Sequence, residues 1–511
     1  MQRGGNAFDA AIAVAAAETV TLPPMCGIGG EVFALLYHAP TKSLYGITGS
    51  GRAPMLASRE SFWAQGYKKM PSLGPLTASI PGEVDAWGTI WEQFGSISFS
   101  SLLEPAIALA ENGFPIAPRI STFYKTNIDK LRAYPSTLAT LTRSGQPFRE
   151  GDILAQPNLA TSLKRIERHG FREFYEGELA ASLVEAMKAA GGLFTMDDLA
   201  GHKSLLYESP PSVTYRGHTI VTNALPSQGL LILQLLNIME GLDLEDMGHN
   251  SADAIHALVE AKKLVFADRL AYLGDPEYAD FPISELLSKS FASRRRNKIP
   301  IRKASSHVQP GDLLDTDGDT SYFCIVDKEG NAVSFIHSLS MYFGSGFIAG
   351  NTGILLNDRV GRGFYLQKDH PNTLAPGKKT INTIQTWMAF KGNAPILLGG
   401  TPGGDRQPAW NAQIISNVLD YGMNVQEAVE APRWNHFPGS DPATVQEPYS
   451  LRLENSIPRE IRTELENRGH QITTMPEGET SGAVQLISID SKTGIRSGAA
   501  DPRADGYPFT Q

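Results

Sequence analysis

Thr320 is the residue whose surroundings point most directly to covalent chemistry. The stretch Asp319-Thr320-Ser321-Tyr322-Phe323-Cys324-Ile325-Val326-Asp327 puts a hydroxyl at the head of a strand-like run. An internal threonine is a poor nucleophile. Cleavage of the Asp319–Thr320 bond would free an α-amine, and that amine serves the adjacent hydroxyl as general base. Downstream, Asn331 to Ser338 reads as a returning strand, followed by the turn Phe343-Gly344-Ser345-Gly346 and by Gly353-Ile354-Leu355-Leu356-Asn357. Two paired strands would hold Thr320 at a sheet edge. A plain hairpin, whose threonine merely has good strand propensity, fits the same residues.

Other chemistries find less support. The aspartates of Asp315-Thr316-Asp317-Gly318-Asp319 suggest a calcium loop, but the glycine is misplaced and Val326 stands where a bidentate glutamate is required, so no metal is expected. Gly27-Ile28-Gly29-Gly30 lacks the spacing of a dinucleotide fingerprint, and no cofactor is expected. Arg294-Arg295-Arg296, with Lys298 and Arg302-Lys303, lacks interleaved aromatics and reads as a solvated loop, not a nucleic-acid surface. Cys26 and Cys324 are too few for a disulfide framework.

The 511 residues are 41% hydrophobic and 19% charged with a net charge of -9, an ordinary globular composition. Ala10 to Ala17, flanked by Asp9 and Glu18, is too short and too charged to span a membrane and reads as a buried helix. With no signal segment evident, the expectation is a cytoplasmic protein without membrane or nucleic-acid partners.

The elements that must position Thr320 follow from periodicity. Helical spacing covers about 6–20, 98–112, 157–167, 177–190, 228–240 and 252–275, then 408–421 and 458–468. Strands are expected at 32–37 and 43–47 as a hairpin, and at 218–222, 320–327, 331–338, 384–390, 395–399 and 483–489. Tyr342, Phe343, Phe364, Tyr365 and Trp387 read as core, and His337 has no catalytic task, since a free threonine amine needs no imidazole.

Four separated segments, in order, carry a family resemblance. They are Gly4-Gly5-Asn6-Ala7-Phe8-Asp9, Gly27-Ile28-Gly29-Gly30, Thr320 through Asn357, and Leu374-Ala375-Pro376-Gly377-Lys378-Lys379 with Gly399-Gly400-Thr401-Pro402-Gly403-Gly404. Together they resemble the γ-glutamyltransferase family of N-terminal-nucleophile (Ntn) hydrolases, in its amidohydrolase-like branch. The resemblance implies an α+β fold, a four-layer αββα sandwich built from two segments of one autoprocessed precursor. Residues 1–319 would form the large segment and 320–511 the small one, together one globular domain, with a homo-oligomer left open. Family members usually carry a strand and helix before Gly-Gly-Asn-Ala, so the expectation is a truncated or misassigned start, or a sheet edge that needs other cover.

By resemblance, Asp319–Thr320 is the cleavage point, Gly403 and Gly404 offer backbone amides to an oxyanion, and Ser338 orients the threonine amine. Substrate-binding positions fall on Arg52, with Ser50 as the competing match, and on Ser340, Arg359, Arg362, Asn382 and Thr383. The groups that hold a glutamyl α-amine in true γ-glutamyl enzymes are replaced by Ser340, Arg359 and Arg362, and arginine repels ammonium. The expected substrate is therefore a small anionic acyl donor without a free amine, hydrolysed at its amide. The alternatives are a relative that cleaves a C–C bond beside a keto-acid side chain, a γ-glutamyl hydrolase or transferase, and an unprocessed scaffold.

Overall fold

The computed structural model describes residues 1–306, 308, 320–439, 448–476 and 482–510. Asp319 and the acidic stretch before it, on which the cleavage point and the rejected calcium loop fall, lie outside the described residues. Two compact, interleaved units emerge: residues 1–209, 318–321 and 325–382, and residues 210–317, 322–324 and 383–511.

In the first unit the Gly-Gly-Asn-Ala-Phe-Asp segment is a helix start. Asn6 caps Ala7–Thr21: its side-chain oxygen accepts from the Phe8 and Asp9 amides at 2.9 and 3.0 Å, and Asp9 accepts from the Asn6 amide at 2.9 Å. This reciprocal capping box explains why Asn and Asp stand three residues apart. The helix packs on the Ala332–Ser338 strand.

That strand lies in a five-stranded sheet in the order Leu205–Glu208, Ser43–Gly49, Glu31–His38, Ala332–Ser338, Ser321–Val326. Every residue of Ala332–Ser338 is buried, so its valine and isoleucine face covered layers on both sides. Antiparallel pairing sets Glu31 opposite Ser338.

The second unit has a six-stranded antiparallel sheet in the order Arg496–Ala500, Gln485–Ile489, Ala394–Gly400, Trp387–Lys391, His218–Thr222, Ser212–Tyr215. Its helices include Leu230–Met239, buried at every residue, Ala252–Tyr272 and Gln407–Leu419. The expected strand at 384–390 begins only at Trp387. The sequence reading missed a three-stranded sheet of Trp434–Phe437, Ser450–Glu454 and Ile472–Met475, the last pair parallel.

The basic run is also corrected. Arg294 to Arg296 end the helix Lys289–Arg296, and Arg295 is buried against Asp268 at 2.8 Å. Burial pushes the Asp268 carboxyl up to about 6, against the pull of Arg295. Of the aromatics expected in the core, Phe343, Phe364 and Trp387 are buried, while Tyr342 is half-buried and stacks on Phe123.

Gly27-Ile28-Gly29-Gly30 serves close backbone approach. Gly29 bridges to Leu356, and a Cβ on Gly29 would overlap the Leu355 carbonyl oxygen. Gly29→Ala should destabilise the protein by about 1–3 kcal/mol or more, as overpacking does. Urea unfolding with unchanged slope and a lowered midpoint would show it; an unshifted midpoint would refute the close-approach role.

Candidate active site

Thr320 sits immediately before the Ser321–Val326 strand and is 1% exposed. Its Oγ1 donates to Ser338 Oγ at 3.2 Å, and the Ser340 amide donates to the same Ser338 oxygen at 2.8 Å. Ser338 closes its strand, so the neighbouring edge meets Thr320 at the point where the chain turns away. Ser340 turns there with φ at +84°, a conformation costly for a residue with a Cβ. Its hydroxyl is buried without a hydrogen-bond partner among the described residues.

Arg362, on the short helix Arg359–Gly363, donates from Nη1 to the Ser340 carbonyl at 2.9 Å. The carboxylate of Asp358 accepts from the Met341 amide at 3.0 Å. The 358–362 segment thus holds the 338–341 turn from below.

Arg359 points elsewhere. Its Nε donates to Glu31 Oε1 at 2.5 Å, with both side chains essentially inaccessible. Burial pushes the guanidinium below its ordinary value, and Glu31 opposes that shift. Ser50 Oγ donates to the other Glu31 oxygen at 3.1 Å, and Asn382 Nδ2 donates to Ser50 Oγ at 3.3 Å. Arg52 donates from Nη1 to the Gly377 carbonyl at 3.0 Å.

The remaining expected residues lie in the second unit. Gly403 and Gly404 follow the Ala394–Gly400 strand with φ of +133° and +55°, and a Cβ on Gly403 would overlap the Trp410 ring. Gln228 Nε2 donates to the Thr383 carbonyl at 2.6 Å and to the Gly404 carbonyl at 3.0 Å, tying these two positions together.

Glu31 and Gln228 were missed in the sequence. Glu31 left a signal, a lone charge entering the apolar run Val32-Phe33-Ala34-Leu35-Leu36. Gln228 left none.

Among the described residues, two groups have metal-ligating side chains close together: Glu18, Cys26 and His337, and His256, Glu260 and His470. In the first, both ring nitrogens of His337 face glutamates at 2.8 Å, Nδ1 toward Glu83 and Nε2 toward Glu18. Burial works against its protonation, but Cys26, Glu83 and Glu18 together hold His337 well above its ordinary value. Burial also pushes the Cys26 thiol up to about 11. A metal would have to displace protons from both groups. In the second, His256 is occupied by His470 at 2.9 Å and the Pro300 carbonyl at 2.6 Å, and Glu260 by Lys263 at 2.6 Å. No described helix is long and apolar enough to cross a membrane.

The profile of the gamma-glutamyltranspeptidase family matches residues 1–510. The chain belongs to the gamma-glutamyltranspeptidase family. It is 38% identical over 509 residues to the glutathione hydrolase-like YwrD proenzyme of Bacillus subtilis (strain 168), covering 99% of this chain and 94% of that one. To the acylase ACY 1 proenzyme of Pseudomonas sp. (strain SE83) it is 33% identical over 519 residues, covering 99% and 89%. The crystal structure of a cephalosporin acylase from Bacillus halodurans superposes with a TM-score of 0.90 at 33% identity, covering 99% and 91% of the two chains. The α+β Ntn-hydrolase fold is thereby established, and the chain is an Ntn-type hydrolase of this family.

Breaking the Glu31–Arg359 pair from one side leaves a buried charge alone, at a cost of about 3–5 kcal/mol. Glu31→Gln and Arg359→Met should each be strongly destabilising, while the double variant recovers much of the loss. Chemical denaturation of the four proteins checks this; purely additive losses would sink it.

Proposed function

We propose that this enzyme is an autoprocessed amide hydrolase whose nucleophile is Thr320 and whose acyl donor is small and anionic. The observation that carries the reading is the buried Thr320 hydroxyl on Ser338 Oγ at the head of a strand. Relatives named as proenzymes, both hydrolases and acylases, support it.

In maturation, Thr320 Oγ attacks the Asp319 carbonyl carbon. The Asp319–Thr320 C–N bond breaks as the C–O ester forms, and water then hydrolyses the ester to an Asp319 carboxylate and a free Thr320. In turnover the freed amine accepts the hydroxyl proton as Oγ attacks the donor carbonyl, then passes it to the leaving amine. Water releases the acid. We assign the amides of Gly403 and Gly404 to the oxyanion, since two glycines at positive φ present a backbone without side chains. Ser338 orients the nucleophile.

Specificity rests on charge. Arg362 is the arginine we assign to the donor carboxylate, with Arg52, Asn382 and Thr383 as further donors; Arg359 has its counter-charge in Glu31. Ser340 takes the place where a γ-glutamyl enzyme would hold an ammonium. A cationic wall there disfavours a free α-amine.

Denaturing mass of the purified parent should show two fragments that divide between Asp319 and Thr320, and Thr320→Ala should stay whole. An intact parent, or a cut that survives in Thr320→Ala, would overturn the nucleophile. Loss of a charge-assisted contact costs about 2 kcal/mol, so Arg362→Ala should lower kcat/KM on an anionic short-chain amide roughly 30-fold. A neutral anilide should lose clearly less, only what the loosened 338–341 turn costs; equal losses on both would remove Arg362 from carboxylate recognition.

A further inference from the structure

A chain of hydrogen bonds that the reaction above leaves unused, buried except for the partly exposed Glu18, ends on the residue that follows the nucleophile. Ser321 Oγ donates to Glu18 Oε2 at 2.8 Å, and His337 Nε2 donates to the same oxygen at 2.8 Å. His337 Nδ1 donates at 2.8 Å to Glu83 Oε1, which also accepts from Trp87 Nε1 at 3.0 Å. These groups come from four elements: the Ala7–Thr21 helix, the Glu83–Phe94 helix, and the heads and ends of the strands Ser321–Val326 and Ala332–Ser338. His337 and Glu83 are fully buried, and Ser321 nearly so.

The geometry has a use once the chain is cut. Before maturation Thr320 is held by peptide bonds on both sides. Afterwards it is a chain terminus, and termini fray unless tied down. Its own side-chain bond, to Ser338 at 3.2 Å, is long for an O–H···O contact, so it is a weak restraint alone. The next side chain along is Ser321. Its bond is to a carboxylate, the stronger kind, and that carboxylate is itself held by His337, which is braced on Glu83.

We propose that Glu18, braced by His337 and Glu83, is a positioning residue that anchors Ser321 and thereby holds Thr320 in register after the peptide bond before it is lost. The inference rests on Thr320 being the nucleophile. It predicts an asymmetry: the anchor matters more for turnover, when the terminus is free, than for maturation, when it is not.

The test compares Ser321→Ala, Ser321→Thr and Glu18→Gln with the parent. Maturation rate is read by denaturing mass, kcat and KM on one amide, and the unfolding midpoint by calorimetry. Ser321→Ala should mature at close to the parental rate, then turn over about tenfold to about 100-fold more slowly with KM within about twofold, as small misplacements of a reacting group do. Ser321→Thr keeps the hydroxyl and should restore kcat. Glu18→Gln keeps the acceptor and the shape but loses the charge, and should lower kcat less than Ser321→Ala.

Parental kcat in the processed alanine variant would overturn the proposal. So would a threonine variant as slow as the alanine one, or a lowered midpoint with unchanged kcat, the signature of a merely stabilising bond. If Ser321→Ala does not mature, parental kcat in Glu18→Leu overturns the proposal and a tenfold fall at constant KM supports it. A parent chain that is not cut at Thr320 would remove the nucleophile reading itself, and is seen before any variant is made.

Discussion

One buried side-chain amide holds the first unit's site together. Asn357 Nδ2 donates to the carbonyls of Gly29 and Ser79, at 2.9 and 3.1 Å, and Oδ1 accepts from the Ser79 amide, the Ser79 hydroxyl and the Arg359 amide at 3.0 to 3.1 Å. An amide offers two donors and one acceptor oxygen, and here all of them are used. A fully satisfied polar centre in a low-dielectric interior admits one arrangement of its partners. Gly29, Ser79 and the start of the helix that carries Arg359 and Arg362 are therefore placed relative to one another by Asn357. The side-chain-free approach of Gly29 to Leu355 is what lets its carbonyl reach that amide.

From this centre the two arginines take opposite roles. Arg359 turns inward to Glu31, which Ser50 and Asn382 complete, so the ion pair carries no net charge and has its oxygens occupied. Arg362 reaches the Ser340 carbonyl at the turn beside Ser338. Two arginines three apart in sequence thus meet different groups, a strand's carboxylate for Arg359 and a turn's carbonyl for Arg362. Under the proposed function the difference sets the charge a donor meets: one guanidinium fewer than the sequence suggests.

Much of this was legible in the chain. Helices such as Ala7–Thr21 and Ala252–Tyr272 lie within a few residues of expectation, as do the strands around Thr320. What failed were features set by packing partners that no local pattern announces. Trp434–Phe437, Ser450–Glu454 and Ile472–Met475 are strands of only four or five residues, the last two paired across the helix Arg459–Asn467. The arginine run read as solvated because nothing local announces Asp268 beneath Arg295. The Glu31 partner of Arg359 was missed because it stands 328 residues earlier. His337 read as bland because its two glutamates enter from separate helices. Motifs disclosed which side chains are present; partners separated by hundreds of residues decide which way they face.

That division has a chemical reason when a threonine supplies its own base. The hydroxyl and amine of such a residue belong to one Cα, so their mutual distance is fixed by covalent geometry and needs no histidine brought from elsewhere. The fold is left with a narrower task, to fix the position of the residue as a whole. Sheet register does this: Glu31 opposite Ser338 sets where the strand ends, and the strand end sets where Thr320 rests. A slip of one residue would send Ser338 to the other face of the sheet and remove the contact. Burial of every residue in Ala332–Ser338 makes that slip prohibitive, since it would exchange serines and histidine with valine and isoleucine on both packed faces. The apolar strand pattern and the polar site are thus one constraint, with the core fixing a register that the hydroxyl pair at its end depends on.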